Sequence, residues 1–168
     1  NQSRRQRQMC IRDRNNKEHL ELIYAISGFG GITHTINPRL FPDEIVYIVN
    51  HAEDKILFVD TSYIAILIGH QHLFETVEHV YLVGPKKNEV AAKMNGFKFL
   101  NDLVEDGDEN YSWPELNEND AAVLCYTSGT TGNPKGVLYS HKSIVIHANI
   151  VSLPDNFNLS ARDCLLLV

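Results

Sequence analysis

Apolar positions along this chain fall into short blocks with two different periods. From Lys17 onward, Leu20, Ile23, Tyr24 and Ser27 recur at spacings of three and four, which predicts a helix. "GFGG" (28–31) stops it, because glycine accepts the left-handed backbone of a helix C-terminus. "ITHTI" (32–36) alternates and is β-branched, the signature of a strand, and "NPRLF" (37–41) is a turn. Pro42 suits the first position of a second helix, with Asp43 and Glu44 in its electropositive first turn. That helix runs to about Glu53 and buries Ile45, Ile48, Val49 and Ala52. "KILFVD" (55–60) is an unbroken apolar run bounded by charge, as a parallel strand covered on both faces requires.

The pattern continues with a helix over 61–74, capped by Thr61 or Ser62, and a strand at "HVYLVG" (79–84). "PKKNEVAAKMNG" (85–96) reads as a surface connection or short helix, and "FLNDLVED" (99–106) as a short helix. A polar, turn-rich loop (107–120) follows, with Trp113 as its anchor. "AAVLCYTS" (121–128) is a strand, and "GVLYS" (136–140) is its hairpin partner. A helix over 140–153, capped by Ser140, carries Ile144, Val145, Ala148 and Val151 at helical spacing, and "CLLLV" (164–168) is a further strand. Alternation of helix and strand implies an α/β fold, a parallel sheet with helices on both faces. Ligands in such sheets sit beyond the C-terminal ends of the strands.

Charge changes the picture at one end. The first 14 residues hold five arginines, Arg4, Arg5, Arg7, Arg12 and Arg14, against Asp13 alone, while the whole chain is at −6. The remainder therefore has ten Lys and Arg against twenty Asp and Glu, a net −10, with no basic face for nucleic acid. A nucleic-acid arm, a transit peptide and foreign sequence all fit the Arg-rich stretch. Lacking an apolar run and helical periodicity, residues 1–16 are read as a disordered or extraneous head, and 17–168 as the folded domain. Cys10, Cys125 and Cys164 are an odd count without a CxxC pair, which argues against a disulfide framework or zinc ribbon and for a reducing, cytoplasmic setting. No segment reaches the ~18–20 apolar residues of a membrane span. Peripheral membrane contact stays open.

Chemistry concentrates at "YTSGTTGNPKGVLYSH" (126–141). Gly129, Gly132 and Gly136 let backbone amides turn inward, and such amides make an anion-binding nest. Thr127, Ser128, Thr130 and Thr131 add hydroxyls, and Lys135 adds a positive charge on a flexible stem suited to phosphate. The Walker pattern fails: counted from Gly129 it needs Gly at 134, where Pro134 stands, and Ser or Thr at 136, where Gly136 stands. The continuation is also strand-like, where a Walker loop opens a helix. Other clusters carry less. His70 and His72 point to different sides of a helix, His34 is a candidate for lining a pocket, and His141 is assigned to structure. "GFGGIT" (28–33) follows a helix, which excludes a dinucleotide fingerprint.

The stretch 126–141 resembles the phosphate-loop signature of the AMP-forming adenylating enzymes: acyl-CoA synthetases, luciferases and adenylation domains. The segment 19–60, with its "NPRL", and the "VLYSHKS" continuation are most similar to the medium- and long-chain fatty-acyl-CoA synthetase branch. The resemblance covers about residues 17–168. It implies a part of the large N-terminal domain of an acid–thiol ligase that activates a carboxylate with ATP as acyl-adenylate, then transfers it to CoA. It further implies that Thr127, Ser128, Gly129, Thr130, Thr131, Gly132 and Lys135 bind the ATP phosphates, with Mg²⁺ present but no metal ligand assigned. The family's later motifs, an aromatic-Gly-x-Thr-Glu, a ribose-binding aspartate and a small domain with a catalytic Lys, are not among these residues. The chain is therefore expected to be part of a longer one, truncated at both ends and silent alone. Alternatives are an aryl-CoA ligase, a carrier-protein-loading domain or a non-catalytic nucleotide-binding module.

Overall fold

In the computed structural model, residues 8–12, 16–85, 97–127 and 133–164 are described. The strands are β1 (Gln8–Arg12), β2 (Ile32–Thr35), β3 (Ile56–Asp60), β4 (His79–Val83), β5 (Lys98–Phe99), β6 (Ala121–Thr127) and β7 (Lys135–Ser140). The α-helices are α1 (Lys17–Gly28), α2 (Pro42–Ala52), α3 (Ile64–His70), α4 (Leu100–Glu105) and α5 (His141–Ser152). The strands form one sheet in the order β5-β4-β3-β1-β2-β6-β7, in which every pair is parallel except β6–β7.

Side chains alternate across β3. Leu57 and Val59 face α2 and α3, where they join Ile45, Ile48, Val49, Ile64 and Leu67. Phe58 faces the opposite side with Leu22 and Ile26 of α1 and Leu100 of α4. Helices thus cover both faces, as the unbroken apolar runs require. The four α2 positions expected inside are all buried.

Helix ends follow local chemistry. Asn16 caps α1 by accepting from the His19 amide, and Ser140 caps α5 by accepting from the Ser143 amide. "GFGG" closes α1 with a Schellman turn: Gly31 N–H donates to the Ile26 carbonyl, Gly30 N–H to Ser27, and Gly30 stands at φ 87. Glu53 closes α2 the same way at φ 58, with Asp54 N–H donating to the Val49 carbonyl.

Three expectations are corrected. Gln8–Arg12 are not a disordered head. They pair with β2 on one side and β3 on the other, at the centre of the sheet. Strand pairing uses backbone groups, so five residues suffice whatever charge flanks them, and Met9 contributes to the α1-side core. The helix expected over 61–74 is a 3₁₀ turn (Thr61–Tyr63), α3, and a second 3₁₀ turn (Gln71–Leu73). Its cap is Asp60, one residue ahead of the expected Thr61 or Ser62, because the Asp60 carboxylate accepts from the Ser62 amide at 2.7 Å. The two-residue β5 precedes α4 and was too short to announce itself by period. The expected connection at 86–96 and strand at 165–168 lie outside the described residues.

Candidate phosphate-binding site

β6 and β7 form the hairpin expected from the sequence. Leu124 pairs with Leu138, Cys125 with Val137, Tyr126 with Gly136, and Thr127 with Lys135. Both ends of the glycine- and threonine-rich connection are therefore pinned. Thr127 leaves β6 at the carboxyl end of the parallel sheet, and the antiparallel return delivers Lys135 opposite it. The Thr127 hydroxyl lies 3.4 Å from the Lys135 carbonyl, and both residues are exposed. Of the seven residues expected to hold phosphate, these two are brought together. Ser128, Gly129, Thr130, Thr131 and Gly132 lie outside the described residues.

Gly136 has a packing reason. A Cβ there would stand 3.2 Å from Leu124 Cδ1 and 3.2 Å from Tyr126 Cζ, tighter than side chains normally tolerate. The Tyr126 ring thus lies flat against the returning strand. Beside it, Thr35, Ile36, Asn37, Leu40, Glu44, Ile48, Tyr126, Thr127 and Pro134 line a cavity of about 130 Å³. Pockets for small organic ligands run to about 300 Å³ and above, so a nucleotide does not fit inside.

Under β6 sits a polar cluster that sequence reasoning missed. His34, a candidate pocket-liner, does not line that cavity. It is fully buried, and its Nδ1 is 2.8 Å from Oδ2 of the equally buried Asp54. The His34 ring lies 5.1 Å from that of Tyr126. The Tyr126 hydroxyl reaches Nδ1 of His51 at 2.6 Å, and His51 stacks on Tyr47 at 5.3 Å. Burial, then the charges of Asp54 and Tyr47, push the Tyr126 phenol up to about 12, so it keeps its proton. Burial also raises the Asp54 carboxyl above its ordinary value, against the pull of His34. Five residues spread from position 34 to 126 converge here, and only the strand parity of His34 and Tyr126 hinted at a shared face.

On the opposite face, the hydroxyls of Ser27 and Thr33 lie 3.0 Å apart and also reach the Ala122 and Ile23 carbonyls. These contacts fasten α1 to β2 and β6. Trp113 does anchor its loop: the indole covers Gly28 of α1, where a Cβ would come within 2.8 Å of it. Among the described residues, no three His, Cys, Asp or Glu side chains converge as a metal site. No helix among them is long and apolar enough to cross a membrane.

Comparison with known proteins places these features. Residues 4–168 match the family described as AMP-binding enzyme. The chain is 49% identical over 154 residues to the 3-methylmercaptopropionyl-CoA ligase of Ruegeria pomeroyi, covering 92% of this chain and 29% of that protein. It is also 49% identical over 154 residues to the medium-chain-fatty-acid–CoA ligase of Ectopseudomonas oleovorans, covering 92% and 28%. Among solved structures, a long-chain-fatty-acid-CoA ligase from Archaeoglobus fulgidus superposes with a TM-score of 0.80 at 25% identity, covering 95% of this chain and 30% of that one. The chain thus spans under a third of the length of the relatives it matches.

Proposed function

The chain belongs to the AMP-binding enzyme family, and on that premise we propose that it forms the phosphate-gripping part of an AMP-forming acyl-CoA ligase acting on a fatty acid. The observation that carries the reading is the hairpin that sets Thr127 opposite Lys135 at the carboxyl end of a parallel sheet. In such a ligase a carboxylate oxygen attacks the α-phosphorus of ATP, the bond to the bridging oxygen breaks, and pyrophosphate leaves. A CoA thiol then displaces AMP from the acyl-adenylate. The work asked of this segment is positioning and charge neutralisation. Lys135 meets negative charge on the β- and γ-phosphates, and the hydroxyls and amides of 127–132 orient them. Mg²⁺ carried on the phosphates would add to that neutralisation, and no residue here is assigned to it.

Support for a fatty acid comes from medium- and long-chain fatty-acid ligases among the relatives, at 49% and 38% identity, beside two 3-methylmercaptopropionyl-CoA ligases at 49% and 46%. The competing substrate class is the short thioether acid named for the relative from Ruegeria pomeroyi. Acid-dependent ATP–pyrophosphate exchange by the full-length ligase carrying this segment tests both. Straight-chain acids of about eight carbons should drive exchange faster than 3-methylmercaptopropionate, and the reverse order would reassign the substrate. Removing one charged phosphate contact by Lys135→Ala should lower kcat/KM for ATP by about tenfold or more.

A further inference from the structure

The hairpin has a strut beneath it that the phosphate-binding role does not use. Tyr126 precedes Thr127 in β6, so its side chain points to the opposite face, toward α2. There its hydroxyl shares a hydrogen bond of 2.6 Å with His51 Nδ1. The imidazole is held in turn on two sides, stacked on Tyr47 at 5.3 Å and edge-on to the Tyr126 ring at 5.8 Å. The tyrosine ring is also confined, by His34 below and by the Cβ-less Gly136 beside it.

His51 itself is not free to drift. It lies in the last turn of α2, and its neighbour Asn50 is tied to a separate segment, donating to the Leu73 carbonyl and accepting from the Glu75 amide, each at 2.9 Å. Two residues beyond His51, Glu53 adopts left-handed backbone at φ 58, a conformation unfavourable for a non-glycine residue. That turn delivers Asp54 under the sheet, where it fixes His34. The strain is thus spent on placing a buried polar pair directly beneath the tyrosine.

We propose that His51 and Tyr126 are positioning residues for ATP: their hydrogen bond fixes the root of the phosphate loop on α2, with the buried Asp54–His34 pair as its footing. Neither touches the nucleotide. They act by holding Thr127, one residue on, in register with Lys135. This rests on the phosphate-binding reading above.

The test is steady-state kinetics of the full-length ligase with Tyr126→Phe, His51→Leu, their double variant and His51→Gln, beside Lys135→Ala. Phenylalanine keeps the ring and removes only the hydroxyl. Tyr126→Phe and His51→Leu should each lower kcat/KM for ATP by about five- to tenfold, the worth of one hydrogen bond, with KM for the acid within about twofold. The double variant should be no worse than either single one, since both remove the same bond. His51→Gln, which can still offer an acceptor, should recover most of the loss. Additive losses, an equal rise in KM for the acid, or an unchanged Tyr126→Phe would overturn the proposal. If Lys135→Ala also left ATP kinetics unchanged, the phosphate-binding reading itself would fail. A damaged Lys135→Ala beside an unaffected Tyr126→Phe would sink the strut alone.

Discussion

Asp54 is the residue where stability and acidity meet. Its carboxyl is fully buried against His34, and its Oδ1 has no partner among the described residues. Burial raises its pKa above the ordinary 3.8, so the folded chain holds a proton that the unfolded chain has already released. The sign follows: this group favours folding below about pH 3.8, and that advantage is lost as pH rises through the raised value. Asp54→Asn removes the titration, so its stability relative to the parent should climb across that window. Denaturant unfolding at a series of pH values measures it. Asp54→Ala instead strands the His34 Nδ1 and should cost about 3 kcal/mol at neutral pH. A smaller loss for alanine than for asparagine would mean that the pair is not the footing described.

Among elements, the α1 terminus and the β6–β7 hairpin were the most legible from sequence. Glycines near a helix end, or a Gly- and Thr-rich stretch between two apolar runs, announce themselves because backbone geometry restricts which residues fit. Gly30→Ala places a side chain at φ 87 and should destabilise the fold by about 1–2 kcal/mol, whereas the same change at Gly69, inside a helix and in open space, should be neutral or stabilising by up to about 1 kcal/mol. Thermal unfolding of the two variants separates them. What stayed hidden was cooperation across elements. Asp60 displaced Thr61 and Ser62 as cap through a carboxylate that no periodicity reveals. His34 invited a pocket-lining reading instead of a buried pair, because its partner lies 20 residues away across a helix. β1 was masked by the arginines around it, which advertise solvent and say nothing about the backbone between them.

At the scale of the whole molecule, the two ends of the sheet differ. The β3-centred half is closed by helices on both faces, while the β7 side presents apolar side chains to solvent. Leu138, Val145, Ile150 and Phe157 are 55%, 59%, 49% and 73% exposed. A surface of this kind is adhesive in water. The 168-residue polypeptide on its own should bind a hydrophobic dye and self-associate with rising concentration. Val145→Glu with Ile150→Lys should shift sedimentation toward the monomer, and unchanged sedimentation would show that this face is not the one responsible.

The position of β1 has a consequence for the order of synthesis. The strand at the middle of the sheet precedes both of its partners along the chain, so it leaves the ribosome before either, β2 ahead of β3. At about 5–20 residues per second, the wait for β3 lasts seconds, during which the nascent strand carries unpaired edges. Unpaired edges invite pairing with a neighbouring copy, and flanking charge discourages it. Arg4, Arg5, Arg7, Arg12 and Arg14 surround that strand in sequence. The same charge that disguised β1 as solvent-facing sequence is of the kind that discourages one nascent chain from joining the next.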